Sequence, residues 1–374
     1  MREKKASLTQ SSWRDYRVHK RLALKPSVVE EVYAVLSEID AVRNSWRITG
    51  KLLPKTLERL THSVIVTSTG SSNRIEGNRL SDGDVERLYK NLRIKKFKTR
   101  DEQEIAGYLK ALELVFKNYH HIPISESSIL QLHSEMLAHS EKDARHKGEY
   151  KFGSNRVEAK NAKGKIIGVV FDPTPPYLVK KEMQELIEWY QWATSTQAKH
   201  PLLLVANFIF EYLAIHPFQD GNGRTSRLLT NLMLLQHGYL FAQVVSHERL
   251  VEASKADYYL ALNKTQRTWK TKSEEITSWL LFFLKIIQHQ SRQALQLMEE
   301  DTIEHLLSEK QLALWQWAVQ GTSFSRRDAV QALGFPERTV ESIIKKLLGL
   351  KRLQRLGQGK ATQYQLVENS ILEI

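Results

Sequence analysis

The chain contains no cysteine. Disulfides, thiol catalysis, iron–sulfur clusters and cysteine zinc sites are thereby excluded, and the composition suits a reducing cytoplasm. Histidine spacing suggests no metal centre either. His247-Glu248 is followed by Val251, where a zinc-binding helix would need a second His, and His120-His121 reads as a solvated loop. Long apolar runs are also missing. The two most apolar stretches, Leu202–Ile215 and Ile276–Ile287, are interrupted by Asn207, Glu211 and Lys285. Both fall short of the ~18 residues of a membrane span, so they read as buried helices and no membrane partner is expected. Met1 to Lys20 is basic and polar without an apolar core, unlike a secretory signal. Acidic residues are outnumbered: 55 Lys and Arg face 42 Asp and Glu, a net charge of +13. That excess favours polyanionic partners without choosing among them.

What is present is a chain of 374 residues, with 41% hydrophobic and 26% charged residues. Such a chain is globular and long enough for about two or three domains. Helical periodicity dominates. Val28, Val32, Leu36 and Ile39 recur at spacings of three and four, as do Leu57, Leu60, Val64 and Ile65. Ile105 to Phe116 and Ile129 to Leu137 repeat the pattern. Further helices are expected over 180–192, 202–215, 225–237, 254–262, 275–298 and 304–317. Two hairpins stand out. Arg156-Val157-Glu158 and Ile166–Phe171 flank a turn-like Asn161–Gly164, and the Pro173, Pro175, Pro176 cluster follows. Leu353–Leu356 and Thr362–Leu366 flank a Gly-rich turn near the end. The expected organisation is mainly α: a helical region over 1–100, a core over 101–295 and a small module over 300–374.

One stretch carries chemistry: His216-Pro217-Phe218-Gln219-Asp220-Gly221-Asn222-Gly223-Arg224-Thr225-Ser226-Arg227. Pro217 stops a helix, and Gly221 and Gly223 permit a tight turn. A helix starting near Gly223 directs N–H groups and its positive end at the loop, which makes an anion site. Arg224 and Arg227, three apart, share a helix face and can clamp two phosphates. Asp220 is a hard oxygen ligand suited to magnesium, and His216 stands where it can accept a proton.

The stretch resembles the signature of the Fic family of nucleotidyltransferases, His-Pro-Phe-x-Asp/Glu-Gly-Asn-Gly-Arg-x-x-Arg, at every fixed position. The preceding helix, the Tyr150–Phe171 hairpin, Tyr258-Tyr259, Trp279 and Phe282-Phe283 extend the resemblance over roughly residues 100–290. It implies a Fic-fold helical bundle with a hairpin flap and transfer of AMP from ATP to a hydroxyl of a target protein. His216 would then be the general base, and Asp220 would hold Mg2+. Gly221, Asn222 and Gly223 would cradle the α- and β-phosphates, with Arg224 on the β-phosphate and Arg227 on the γ-phosphate. The hairpin would lie over the site as a flap pairing with an extended target segment. Tyr258, Tyr259 and Gln266 would line the adenine pocket. The family also implies a homodimer. Removal of AMP from a modified target would use the same residues, with Glu76 orienting a water.

Upstream, Ser72-Asn73-Arg74-Ile75-Glu76-Gly77 resembles the Fic inhibitory motif, Ser/Thr-x-x-x-Glu-Gly/Asn. Gly77 would end a helix, leaving Glu76 at the negative end of its dipole. A cation would offset that placement, and the resemblance implies Arg227, which could then no longer grip a γ-phosphate. Near the C-terminus, Ser325 caps an expected short helix, Gly334-Phe335-Pro336 makes a turn, and Thr339 to Leu348 is a second amphipathic helix before the hairpin. That order resembles a winged helix-turn-helix. Lys345, Lys346, Lys351, Arg352, Arg355 and Lys360 occur with no acid between them. DNA is one expected partner of this module, protein contact or dimerisation the other. A DNA-binding regulator with a nucleotide-sensing core is thus the contrasting function. The cluster Arg93, Lys95, Lys96, Lys98 and Arg100 has no role in either reading.

Overall fold

The computed structural model describes residues 10–48, 54–91, 97–155, 157–160, 166–318, 323–350, 352–357 and 362–367. Arg93, Lys95, Lys96, Arg156, the expected turn Asn161–Gly164, Lys351 and Lys360 lie outside them. The chain forms two compact units, Met1–Gln296 and Leu297–Ile374. The described residues before 100 fall in the first unit.

The architecture is mainly α. In order come α1 (Gln10–Asp15), α2 (Arg17–Lys20), α3 (Pro26–Ile48), α4 (Pro54–Ile75), α5 (Asp82–Lys90), α6 (Arg100–Asn118) and α7 (Glu126–Met136). The strands β1 (Val157–Lys160) and β2 (Ile166–Phe171) follow, then α8 (Pro176–Ser195), α9 (Pro201–Ile215) and α10 (Asn222–Gln236). A 3-10 turn at Leu240–Gln243 leads to α11 (His247–Ala253), α12 (Lys255–Gln266) and α13 (Thr277–Leu306). The last elements are α14 (Glu309–Ala318), α15 (Arg326–Leu333), α16 (Glu337–Gly349), β3 (Leu353–Leu356) and β4 (Gln363–Leu366). The helix expected over 275–298 continues to Leu306, and the one expected from 304 starts at Glu309.

Helix ends follow local chemistry. Thr99 accepts from the Glu102 N–H while the Glu102 carboxylate takes the Thr99 N–H, a reciprocal capping box at the start of α6. α9 is the axis of the first unit: Leu202 to Ile215 are all buried. A helix apolar on every side is stable only when neighbours cover it, and α8 and α10 pack against it. α4, bearing the Ser72–Gly77 stretch, packs against α6 and α11. β1 and β2 pair antiparallel, Val157 opposite Phe171 and Lys160 opposite Ile166.

The second unit has its own core, in which Leu314, Ala329, Val340, Ile344 and Leu347 are buried. Three helices precede an antiparallel hairpin with Leu353 opposite Leu366, and Phe324 bridges to Tyr364. Ser325 accepts from the Asp328 N–H as the cap of α15, and Gly334 ends that helix at φ +65°.

Candidate active site

The loop between α9 and α10 is built around its own main chain. Asn222 receives the Phe218 N–H at 2.8 Å on its carbonyl and donates to the Phe218 carbonyl at 2.7 Å. Its side chain is thus spent on closing the turn. Lys151 and Asn155, which the motif does not include, brace the loop from the flap side. The Lys151 N–H donates to the Pro217 carbonyl at 2.8 Å. Its ammonium reaches the Ile215 carbonyl at 3.3 Å and Asn155 at 2.7 Å, while Asn155 donates to the Phe218 carbonyl at 2.7 Å. Burial pulls the Lys151 ammonium down to about 8.

His216 caps α9 in the left-handed region, at φ 54° and ψ 61°. A non-glycine residue there is uncommon and marks a functional geometry. Its Nδ1 lies 3.2 Å from the Leu213 carbonyl. A carbonyl only accepts, so Nδ1 carries the proton and Nε2 keeps its lone pair. Burial lowers the imidazole to about 4, so it is neutral at neutral pH.

α10 opens at Asn222 behind Gly221, which sits at φ +81°. A side chain on Gly221 would meet the Met136 methyl at 2.6 Å. The first two turns of α10 carry both arginines, and both are buried. Arg224 Nε and Nη1 and Arg227 Nη1 have no hydrogen-bond partner among the described residues. The carboxylates nearest Arg224, Glu104 and Asp220, both stand at 3.6 Å. Buried guanidinium nitrogens are normally satisfied, so unpartnered ones at a helix N-terminus suit an anion.

Asp220 accepts from the Gly221 N–H at 2.6 Å, and Arg100 stands 3.6 Å from its other oxygen. Burial would raise this carboxyl, but the Arg224 charge and the Gly221 N–H outweigh it and hold it low. No group of three His, Asp or Glu able to hold a metal occurs among the described residues. A single half-buried carboxylate does fit magnesium, which keeps its waters and shares substrate phosphates.

Glu76 lies against this cradle. α4 ends in a Schellman turn: Gly77 at φ +100° donates to the Arg74 carbonyl and Asn78 to that of Asn73. The turn delivers the Glu76 carboxylate to Arg227 at 2.7 Å, and Arg227 also donates to Ser72 Oγ at 2.8 Å and the Ser72 carbonyl at 2.9 Å. The Glu76 carboxylate abuts Gly223, where any side chain would collide with it. The carboxylate thus faces the positive end of α10, which offsets its place at the negative end of α4.

Tyr258 and Tyr259 lie near Arg227 and Glu76, whose charges act on both phenols, and burial raises both. Tyr258 packs on Trp279 and Phe282, whereas Tyr259 is 43% exposed. Gln266 ends α12 two turns further on, its carbonyl accepting from the Trp269 N–H. The structure therefore gathers His216, Asp220, Gly221, Gly223, Arg224, Arg227, Ser72 and Glu76 in one place, with both tyrosines beside them. Among the described residues, no hydrogen bond joins Gln266 to this group.

Residues 123–234 match the Fic/DOC family. The protein adenylyltransferase fic-1 of Caenorhabditis briggsae is 30% identical over 196 residues, covering 50% of this chain and 34% of that protein. Its Caenorhabditis elegans namesake is 28% identical over 194 residues, again 50% and 34%. The chain thus spans about a third of the length of these relatives. A Fic family protein from Desulfovibrio desulfuricans shares the fold over 92% of this chain and 97% of its own, with a TM-score of 0.59 and 21% identity. The loop, the strands β1 and β2, the helices α8 and α9 and most of α10 lie inside the segment that matches the Fic/DOC family.

Proposed function

We propose that the chain is a protein adenylyltransferase that moves AMP from ATP to a Ser, Thr or Tyr hydroxyl of a target protein, or of itself. We further propose that Glu76 holds it inactive. The observation that carries this reading is the buried Arg224–Arg227 pair, with unpartnered guanidinium nitrogens, beside a neutral His216 whose Nε2 can take a proton. The names of the relatives support it.

In this reading His216 Nε2 accepts the hydroxyl proton as the oxygen attacks the α-phosphorus. The bond from that phosphorus to the bridging oxygen breaks, and pyrophosphate leaves. With Gly221 shaping the turn, the N–H groups of Asn222 and Gly223 face the α- and β-phosphates, the Arg224 guanidinium the β-phosphate, and Arg227 the γ-phosphate once Glu76 has withdrawn. Asp220 would hold a magnesium ion, which when bound neutralises phosphate charge. Catalysis is then mostly alignment and fixed charge. Tyr258 and Tyr259 border the adenine side, and β1 and β2 offer an edge for an extended target segment. Incubation of Glu76→Gly protein with radiolabelled ATP and lysate tests the proposal. Strong labelling of a protein is expected, the mass gain falling on a hydroxyl residue, and Glu76→Gly with His216→Ala is expected to label nothing. If the Glu76→Gly protein labels nothing, itself included, the proposal fails.

The C-terminal unit has the helix, turn, helix and hairpin order of a winged helix, and we propose that it binds protein, a second copy of this chain included, rather than DNA. Arg326 is paired with Glu337 at 3.1 Å and approaches Glu341 at 3.6 Å, so acids of α16 stand among its bases. A gel shift at low salt against light scattering of the full chain separates the two; a salt-sensitive shift overturns this reading. A cytoplasmic location fits a chain without cysteine.

A further inference from the structure

We propose that His133, which lies outside the loop motif, is a positioning residue: it sets the direction of the Asp220–Gly221 peptide and hence of the Asp220 carboxylate. The activity readout rests on the adenylyltransferase reading, but a binding readout does not.

His133 sits on α7, fully buried, its ring parallel to Phe218 with centroids 3.6 Å apart. The hydrogen bonds settle its tautomer. The Gly148 N–H points at Nδ1 at 2.9 Å, and a backbone N–H can only donate, so Nδ1 is unprotonated. Nε2 therefore carries the hydrogen and donates it to the Asp220 carbonyl at 3.0 Å. One ring thus joins the segment before the flap to the catalytic loop, eighty-seven residues away.

The consequence follows from peptide planarity. In a trans peptide the carbonyl and the next N–H point in opposite directions. With the Asp220 carbonyl held toward His133, the Gly221 N–H must point away from α7. There it meets the Asp220 carboxylate at 2.6 Å. Gly221 fits this arrangement because it lacks a side chain, which would lie 3.4 Å from His133 Nε2 and closer still to Met136. The carbonyl of Gly221 itself, in the next peptide unit, accepts from the Thr225 N–H at 2.9 Å and so starts the helix that carries Arg224 and Arg227. Without His133 the peptide could turn over, taking the Asp220 carboxylate away from the cradle.

Two substitutions, made in the Glu76→Gly background, separate the hydrogen bonds from the packing. His133→Phe keeps a flat ring on Phe218 and removes both bonds. His133→Gln loses the ring but keeps an acceptor for Gly148 and a donor for Asp220. The measurements are kcat and KM for AMP transfer, the Mg2+ dependence of ATP binding by calorimetry, and the melting temperature. Supporting groups of this kind typically account for about 10- to 100-fold in activity or metal affinity. His133→Phe is therefore expected to lower kcat at least about tenfold and to raise the Mg2+ requirement of ATP binding several-fold, with His133→Gln recovering most of both. A Phe variant that melts lower yet keeps the parent kcat and Mg2+ dependence overturns the proposal. So does a folded Gln variant as impaired as Phe. If the Glu76→Gly parent transfers no AMP, the adenylyltransferase reading falls, and the Mg2+ dependence of ATP binding still decides the role of His133.

Discussion

At the scale of residues, the loop between α9 and α10 separates the groups that face the cradle from those that shape it. His216, Asp220, Arg224 and Arg227 were legible because a compact motif places them within twelve positions. His133, Lys151 and Asn155 were not. They act on main-chain carbonyls of residues 215–220, and no spacing rule links such distant positions. The only sequence signal was that Lys151 and Asn155 come just before the flap. A pH prediction belongs here. With His216 held at about 4 by burial, its Nε2 is already unprotonated at neutral pH. The transfer rate of Glu76→Gly protein should be level with respect to this group from pH 8 down to about 5 and should fall as pH drops through about 4, as Nε2 gains the proton it would otherwise accept. Initial rates across that range check it; an acid limb at the ordinary histidine value, about 6.5, would show that His216 is not held low.

At the scale of elements, α4 and α2 are each fastened by ions that periodicity could not foresee. The Arg74 guanidinium grips Glu252 of α11 with bonds of 2.7 and 3.0 Å and reaches Asp82 at 2.8 Å. Nearly two turns earlier, Ser68 donates to the buried Glu248, which also takes hydrogen bonds from Tyr108 and Asn231. Arg74→Ala should therefore loosen the end of α4 without touching Glu76. Basal AMP transfer should rise several-fold, yet stay below that of Glu76→Gly, and amide exchange over 68–77 should quicken. Unchanged labelling and exchange would assign the latch elsewhere. α2 brings Arg21 to Glu211 at 2.6 Å and to Glu274 at 2.7 Å. Burial would push Glu211 up, but Arg21 and Arg17 hold it at about 2. Removing one partner of a buried pair costs about 3–5 kcal/mol, so Arg21→Ala should lower the melting temperature clearly at neutral pH. Because the folded carboxyl lies below its unfolded value, this contribution is complete above about pH 4.5 and is lost as pH falls toward 2, and the two proteins should melt more alike in acid. Equal melting at neutral pH would sink the assignment. Glu211 was visible in the sequence as a break in an apolar run; its partners were not, since α2 is too short to announce itself by period.

At the scale of the whole molecule, the net charge divides unevenly. Residues 297–374 hold ten Lys and Arg and ten Asp and Glu, so the entire excess of +13 lies in the first unit. The basic run near the C-terminus stands out in the sequence because the acids of this unit, such as Glu337, Glu341 and Glu368, lie on either side of it. Each unit has its own core, so a chain ended after Leu306 should keep the transfer activity of Glu76→Gly, and the full chain should show two calorimetric transitions where the short one shows one. Loss of activity on truncation would mean that the second unit completes the site. The placement of Glu76 bears on how much ATP the resting protein needs. Its carboxylate is a ligand tethered to the receptor, present at a fixed effective concentration that no dilution changes. On the proposed function ATP would compete with it for Arg227, so weakening the tether should first lower the apparent KM for ATP and only removal of the carboxylate should release the full rate. On that reading the resting state would be a threshold set by the cell's nucleotide level, and α4 the element that adjusts it.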